Sequence, residues 1–312
     1  MKVLLAIDGS DASMSAVAMV AALAMPAGST VEVVSVIPDS FAPEGTVWPN
    51  VVRVDPPTDR DRIMDDVSRR LLEIADRLRT GGRSVEVRVL EGRPATEIVS
   101  EAARFAADLV VMGARGLSTV QRLLLGSVSS EVVDHAPCPI LVARHAASAR
   151  VLLATDGSPS STEALRFIAE SGLFDASTIR VVSVGHHGAP WWVGVSPVDG
   201  MTSIDLYADE VEAAEGHARA VVDEAAERLR GLDVEGTTVI RDGDVVSAIL
   251  ADADGQRADV IVLGARNMGA VHRWLVGSVS RSVLHLAQAS VLIVRPHIAP
   301  VVPQESEWAV PA

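Results

Sequence analysis

The sequence predicts an α/β chain of two tandem, doubly wound domains, each a five-stranded parallel sheet with helices on both faces. Three observations predict it. Near-identical blocks recur about 150 residues apart, strand-length apolar runs alternate with helical periodicity, and those runs are apolar on both faces. A repeat of this length is one ordinary domain and not a solenoid unit. Strands that are apolar on both faces are typical of a parallel sheet covered on both sides.

The duplication keeps its spacing at the glycine-rich end of each copy. Gly-Ser-Val-Ser occurs at 126–129 and at 277–280, and Gly-Ala-Arg stands thirteen residues before each block, an offset of 151 residues between copies. The first strand returns at an offset of 148, so the second copy has gained a net three residues in between. We interpret the chain as domains at 1–146 and 149–296, followed by a Pro-containing tail at 297–312 that we expect to be poorly ordered.

Local patterns place the elements of the first copy in chain order. The apolar run at 3–7 ends in Asp-Gly-Ser, which predicts a buried strand and then a turn. The run at 31–37 is rich in β-branched residues and predicts a second strand. Apolar residues recur every three or four positions through 63–78, one face of a helix that the Gly-Gly pair at 81–82 ends. The same criteria predict helices at 16–24, 95–106 and 127–135 and strands at 85–90, 109–112 and 140–143, and the second copy repeats this order.

Composition excludes several classes of function. A net charge of −14 and an aromatic content of 3% argue against nucleic-acid and anionic-membrane surfaces. No apolar run reaches the roughly 18 residues that a membrane span needs. Lys2 is the only lysine, which excludes a P-loop, a Schiff-base enzyme and a protein kinase. The single cysteine, Cys138, excludes an internal disulfide and fits a reducing compartment, so we expect a cytoplasmic protein.

The topology predicts a ligand site at the centre of each sheet. In doubly wound sheets, ligands bind beyond the carboxyl ends of the strands where the strand order reverses. We expect strand 1 to be central, between strands 2 and 4. The ends of these strands carry Asp8, Val36 and Gly113 in the first copy and Asp156, Val184 and Gly264 in the second. Asp-Gly is also a common turn pair, so capping of the turn is the alternative role for both aspartates.

The segment that begins at Gly113 reads G-x2-G-x9-G-S. Gly113 ends the strand and lets the backbone turn close to a ligand, and Gly116 is free to adopt positive φ. Gly126 opens the next helix, and Ser127 is a suitable N-cap residue. Glycine after a strand and serine at a helix start are also common where elements end and begin, so a purely structural role is the alternative.

The start of this helix predicts an anion site. The N–H groups of Val128 and Ser129 would point free at the positive end of the helix dipole. The hydroxyls of Ser127 and Ser129 would add donors, and Arg115 would add charge. The second copy carries the same residue types at the same spacing, except that Asn267 replaces the second glycine. Asn tolerates the left-handed region better than other non-glycine residues, so the turn is compatible with it.

With these motifs, the sequence resembles a tandem universal stress protein over nearly all of residues 1–296. The resemblance is carried by the strand-1 aspartates, the glycine-rich segment and Ala-Pro-Cys-Pro at 136–139; the second copy lacks the last of these and reads Ala-Gln-Ala-Ser at 287–290. It implies a Rossmann-like fold of the adenine nucleotide alpha-hydrolase type. In the ATP-binding branch of the family, the strand-1 Asp and adjacent backbone hold the nucleoside. The strand-2 Val pairs with adenine through its backbone, and the glycine-rich loop and helix start hold the phosphates.

Carried over, the resemblance implies ATP, with any Mg²⁺ held mainly through the phosphates. In the first copy the implied site residues are Ala6, Asp8, Val36, Gly113, Arg115, Gly116, Gly126, Ser127, Val128 and Ser129. In the second copy they are Asp156, Val184, Gly264, Arg266, Asn267, Gly277, Ser278, Val279 and Ser280.

Two groups in the connections after strand 2 have no assigned role. His186 and His187 suggest a metal site, but adjacent residues of an extended chain point in opposite directions, so an exposed or lid position is the better interpretation. Trp48, Trp191 and Trp192 would either cover the nucleotide or form a domain or subunit contact.

The sequence shows no nucleophile paired with a base and no metal-ligand cluster. We therefore expect an ATP-binding, nucleotide-sensing regulator of stress response or growth arrest, and not an enzyme. The alternatives are a weak ATP hydrolase and a non-nucleotide dimeric scaffold. Since edge strands need a partner, we expect the last strands, at 140–143 and 291–294, to pair in a homodimer or between the two domains of one chain.

Overall fold

Strands and helices alternate along the described part of the chain, residues 1–38, 60–79, 82–115, 125–185, 200–240, 244–265 and 276–295 of a computed structural model. The strands are β1 (Lys2–Ala6), β2 (Thr30–Ile37), β3 (Ser84–Glu91), β4 (Leu109–Gly113), β5 (Ile140–Ala143), β6 (Arg150–Ala154), β7 (Thr178–Val184), β8 (Asp233–Ile240), β9 (Val260–Gly264) and β10 (Ser290–Val294). The helices are α1 (Asp11–Ala22), α2 (Arg60–Leu78), α3 (Pro94–Phe105), α4 (Ser127–His135), α5 (Pro159–Ser171), α6 (Gly200–Arg228), α7 (Val245–Gly255) and α8 (Ser278–Leu286). The predicted tail at 297–312 lies outside these residues.

The described strands form one sheet in the order β3-β2-β1-β4-β5-β10-β9-β6-β7-β8. Each half therefore has its first strand at the centre, between the second and fourth strands, with all pairs inside a half parallel. The α/β, doubly wound fold and the central position of strand 1 are confirmed. Val3, Leu4 and Leu5 of β1 are fully buried, because successive side chains of the strand meet helices on opposite faces.

Two apolar layers cover the sheet. One contains buried residues of α1, α2, α5 and α6, and the other contains buried residues of α3, α4, α7 and α8. Each layer runs through both halves, so the two halves share their cores. Among the described residues, no helix combines the length and hydropathy that a membrane crossing requires.

The halves join through their last strands. β5 and β10 pair antiparallel, with Leu141 opposite Leu292. The Ala24 amide also donates to the Leu173 carbonyl at 3.3 Å, where the ends of α1 and α5 meet. Of the two predicted arrangements, the structure shows pairing of the last strands within one chain. β5 also pairs with β4 and β10 also pairs with β9, so both edges of each strand are occupied and neither is open to a second copy.

Helix α1 begins earlier than the sequence pattern predicts. The prediction of a helix from residue 16 is wrong, because apolar periodicity does not detect a polar first turn. Ser10 is the N-cap, and its side chain accepts a hydrogen bond from the Ser13 amide. Ser158 and Ser161 repeat this arrangement at the start of α5.

A buried carboxyl pair lies between β2 and α3. Glu32 and Glu101 are 2% and 5% exposed, and the Arg104 guanidinium donates to both carboxyl groups. Arg88 of β3 lies 3.3 Å from Glu101. Burial, and then the charge of Glu101, raises the pKa of Glu32 to about 7 from its ordinary value of 4.5. The hydrogen bonds of Glu101 lower its own pKa against the opposing effect of burial, so the pair holds one proton below about pH 7.

We expect this pair to make stability fall as pH rises from about 4.5 to about 7. In that window the folded state keeps the Glu32 proton and the unfolded state has lost it, so the free energy of unfolding decreases with pH. Between pH 6 and pH 8, the wild type should lose about 1 kcal/mol more than Glu32→Gln, which stays neutral throughout. Urea unfolding at both pH values measures this, and equal losses in the two proteins would contradict it.

Candidate functional site

A tight turn follows the central strand of each half. After β1, Oδ1 of Asp8 accepts hydrogen bonds from the Ser10 amide at 3.0 Å and the Ser10 hydroxyl at 2.6 Å. After β6, Oδ1 of Asp156 accepts from the Ser158 amide at 3.0 Å. The turn-capping role is therefore present in both halves. In the first half, both of these hydrogen bonds go to Oδ1 of Asp8. Oδ2 of Asp8 has no hydrogen-bond donor among the described residues, so this atom is available to a ligand hydroxyl.

Gly113 and Gly264 end their strands against the first turn of a helix. A Cβ atom on Gly113 would lie 2.5 Å from the Ala12 carbonyl oxygen, and one on Gly264 would lie 2.2 Å from the Ser160 carbonyl oxygen. Real Cβ atoms do not approach backbone this closely. The prediction that Gly113 serves approach to a ligand is thus incomplete, because the close approach seen here is to α1.

Helix α4 begins at Ser127, and its N-cap residue, Gly126, provides no side-chain cap. Gly126 is extended, with φ −67° and ψ 155°, and its carbonyl accepts from the Ser130 amide at 2.9 Å. The prediction that Ser127 is the N-cap is therefore wrong by one residue. As the first helical residue, Ser127 joins Val128 and Ser129 in presenting an amide with no side-chain acceptor.

The equivalent helix of the second half starts in the same way. Gly277 is the N-cap of α8, has no side-chain cap bond, and accepts from the Arg281 amide at 2.8 Å. By contrast, α1, α5 and α7 are capped by the side chains of Ser10, Ser158 and Asp244. Helix α3 also lacks a side-chain cap, but its first residue is Pro94, which has no amide N–H to offer. The starts at the two Gly-Ser-Val-Ser blocks are uncapped and keep their first amide, which favours an anion there.

The hydroxyl group of the last serine in each Gly-Ser-Val-Ser block already makes a hydrogen bond within the protein. Ser129 donates to the Gly113 carbonyl at 2.9 Å, and Ser280 donates to the Gly264 carbonyl at 2.9 Å. The expectation that the Ser129 hydroxyl adds a donor to the anion site is thus wrong. These bonds instead join the helix start to the strand end, so Ser129 and Ser280 offer their amides.

A cavity of about 280 Å³ lies in the second half, beyond the carboxyl ends of β6, β7 and β9 and beside the start of α8. This volume is close to the lower end of the range of small-molecule sites, roughly 300–1,000 Å³. Its described lining residues are Ala154, Thr155, Asp156, Ser158, Ser160, Ser161, Val182, Val184, Val245, Ile249, Leu263, Gly264, Gly277, Ser278, Val279 and Ser280. Every described residue that the sequence assigned to the second site is among them.

Asp156 is the one ionisable side chain among the described residues of this lining. Burial pushes its pKa upward, but hydrogen bonds from Ser158 and Ser161 outweigh burial and hold the pKa below its ordinary value. Asp156 is therefore a carboxylate at neutral pH and acts as a hydrogen-bond acceptor. A nucleoside hydroxyl is the kind of donor that it suits.

The first half brings its predicted residues together through equivalent contacts. The Gly126 amide donates to the Ala114 carbonyl at 2.9 Å, and the Ser10 hydroxyl lies 3.4 Å from the Arg115 carbonyl. Ala6 is the last residue of β1 and Val36 is the penultimate residue of β2, at the same edge of the sheet. In the second half, Ala154 and Val184 are the last residues of β6 and β7.

Arg115 lies close to the junction of the halves. Its Nε is buried without a hydrogen-bond partner among the described residues. Burial and then the nearby Arg115 charge lower the pKa of Arg144, which follows β5. A contact between Arg115 and a phosphate remains a prediction. Gly116, Arg266, Asn267, the paired histidines at 186–187 and the tryptophans at 48, 191 and 192 lie outside the described residues.

Sequence reasoning missed much of the lining. The missed polar residues are Thr155, Ser158, Ser160 and Ser161, and the missed apolar residues are Ala154, Val182, Val245, Ile249 and Leu263. The run Asp-Gly-Ser-Pro-Ser-Ser at 156–161 was the available signal for the polar group, because it follows the central strand. The apolar group had no comparable local signal, since Val245 and Ile249 reach the site only through the packing of α7.

The model of the universal stress protein family matches residues 1–144 and 148–295. A universal stress protein of Mycolicibacterium smegmatis is 30% identical over 229 residues, which cover 70% of this chain and 71% of that protein. The Mycobacterium bovis universal stress protein Mb2019 is 27% identical and covers 96% of this chain and 97% of its own length.

A solved structure shares the fold over almost the whole chain. The crystal structure of a universal stress protein from Archaeoglobus fulgidus aligns with a TM-score of 0.59 and 23% identity. The alignment covers 94% of this chain and 98% of that one.

Proposed function

The chain belongs to the universal stress protein family, and on that basis we propose that each half binds one ATP molecule. The bound nucleotide makes the chain a sensor that regulates stress response or growth arrest in the cytoplasm. The proposal rests chiefly on one observation, the uncapped start of α8 at the wall of a cavity.

The cavity has the two kinds of wall that a nucleotide needs. Val182, Val184, Ile249 and Leu263 supply an apolar side suited to a base, with the backbone of Val184 at the strand end. The amides at 278–280 supply the phosphate side, because a helix start concentrates donors and positive potential. In this arrangement Asp156 accepts from the ribose, and Mg²⁺ is held mainly by the phosphates.

We propose that the chain holds ATP without turning it over. Asp156 supports this, since its lowered pKa makes it a weak base near neutral pH. The runner-up is a weak ATP hydrolase in which a residue outside the described part supplies a base.

Titration of the full chain with ATP, ADP, AMP and GTP tests the proposal. ATP and ADP should bind at least about tenfold more tightly than AMP, because their added phosphates reach the helix amides. GTP should bind more weakly than ATP, since the strand-2 backbone selects the adenine edge. AMP binding equal to ATP binding would contradict the phosphate placement. Phosphate release above background, abolished by blocking the sites, would favour the hydrolase.

A further inference from the structure

Each half contributes one arginine that contacts the other half across their junction. Arg144 follows β5 and Arg295 follows β10, at the same offset of 151 residues that separates the glycine-rich blocks. Each arginine reaches the end of the last helix of the other half. The carbonyl groups they contact, on Val133 and Leu284, are also 151 residues apart.

Arg295 of the second half binds the end of α4 in the first half. Its Nη1 donates to the Ala136 carbonyl at 2.9 Å, and its Nη2 donates to the Val133 carbonyl. The residue is 2% exposed, so these are buried charge-assisted bonds. Burial lowers the pKa of Arg295 to about 10, which still leaves the group charged at neutral pH.

Arg144 of the first half makes the reciprocal contact. Its Nη2 donates to the Leu284 carbonyl of α8 at 2.6 Å, and its amide donates to the fully buried Ser290 hydroxyl at 3.1 Å. An ion pair from Arg281 of α8 to Asp134 of α4, at 2.6 Å, also joins the two helices directly.

These two helices are the ones whose starts form the anion sites. Each is nine residues long, so about 13 Å separates the amides at its start from the arginine at its end. The helix dipole places negative potential at the end that the arginine occupies, and the added cation stabilises the helix in its orientation. A carbonyl group left without a partner there would favour fraying of the last turn.

We propose that Arg295 and Arg144 are positioning residues for the nucleotide of the opposite half: Arg295 holds α4 for the first site, and Arg144 holds α8 for the second. This inference rests on the proposed function. It makes each site dependent on the other half of the chain, although the described contacts of each site come from its own half.

The test uses full chains in which one site is blocked. Gly277→Glu blocks the second site, so the affinity of the first site can be measured alone. Gly126→Glu blocks the first site, so the affinity of the second can be measured alone. In the Gly277→Glu background, Arg295→Gln should weaken ATP binding by about fivefold to tenfold, and Arg144→Gln by less than about twofold. In the Gly126→Glu background the order should reverse.

Two further variants separate positioning from net charge and from folding. Arg295→Lys keeps the cation and should recover most of the lost affinity at the first site. Arg69→Gln, which removes an exposed cation on α2, should leave both sites unchanged. If Arg295→Gln fails to fold, the less deeply buried Arg144 carries the test alone, through the selective loss of affinity at the second site.

The outcomes are distinguishable. Equal weakening of both sites by either arginine variant, or no weakening, would overturn the inference and leave ATP binding intact. Absence of ATP binding in both single-site parents would instead overturn the proposed function, and this inference with it.

Discussion

Gly126→Glu is expected to abolish ATP binding in the first half and leave the second half intact. The N-cap has extended backbone angles that any residue adopts, so the backbone conformation accepts the substitution. Gly126 is buried, so the added side chain also brings a steric cost. A carboxylate near 5 Å from the phosphates would cost about 3 kcal/mol for each charge at an effective dielectric of 20. That corresponds to a loss of affinity of roughly a hundredfold or more.

Gly126→Gln is the matched control, since it adds the same bulk without charge. Its affinity should stay within about tenfold of the wild type, because only the steric part of the penalty remains. Calorimetric titration of both variants in the Gly277→Glu background reports the first site alone. Unchanged affinity in Gly126→Glu would show that the phosphates do not lie at the start of α4.

Gly264→Ala is expected to destabilise the protein by about 2–4 kcal/mol, at the upper end for overpacked sites. The new Cβ atom would lie 2.2 Å from the Ser160 carbonyl oxygen and 2.7 Å from the Ser161 amide nitrogen. Both neighbours are backbone, so no side-chain rotation relieves the contact and α5 must move away from β9. The cavity should be distorted as well, because Ser160 and Ser161 line it.

Gly216→Ala provides the opposite control. A Cβ atom there meets nothing within 4 Å, and the residue lies inside α6. Alanine should therefore stabilise the helix by about 0.5–1 kcal/mol. Thermal unfolding of both variants and the wild type measures the contrast. A Gly264→Ala protein as stable as the wild type would contradict the tight packing of this strand end.

Strands and helices with a distinctive local sequence were predictable from the sequence alone. The fully apolar run of β1 predicted a strand buried on both faces, since neither face meets water. The glycine-rich spacing predicted the bounds of α4, Ser127–His135, although not its N-cap residue, because Gly and Ser mark its start and the Ala-Pro-Cys-Pro segment follows its end.

Features that depend on packing between elements were not predictable in the same way. Glu32 is a single charge in an apolar strand, and only the approach of α3 shows that Glu101 is its neighbour. The partners of Arg144 and Arg295 depend on the antiparallel register of β5 and β10, which no local pattern specifies. The serines of α5 were visible in the sequence, but their place in the cavity follows from the turn after Asp156.

The nucleotide content of the purified full chain tests the central claim most directly. The account predicts ATP or ADP released on denaturation of the wild type, with titration to saturation at two sites per chain. It also predicts no bound nucleotide in the Gly126→Glu, Gly277→Glu double variant. Absence of ATP and ADP from the wild type, together with no binding on titration to millimolar concentration, would contradict it.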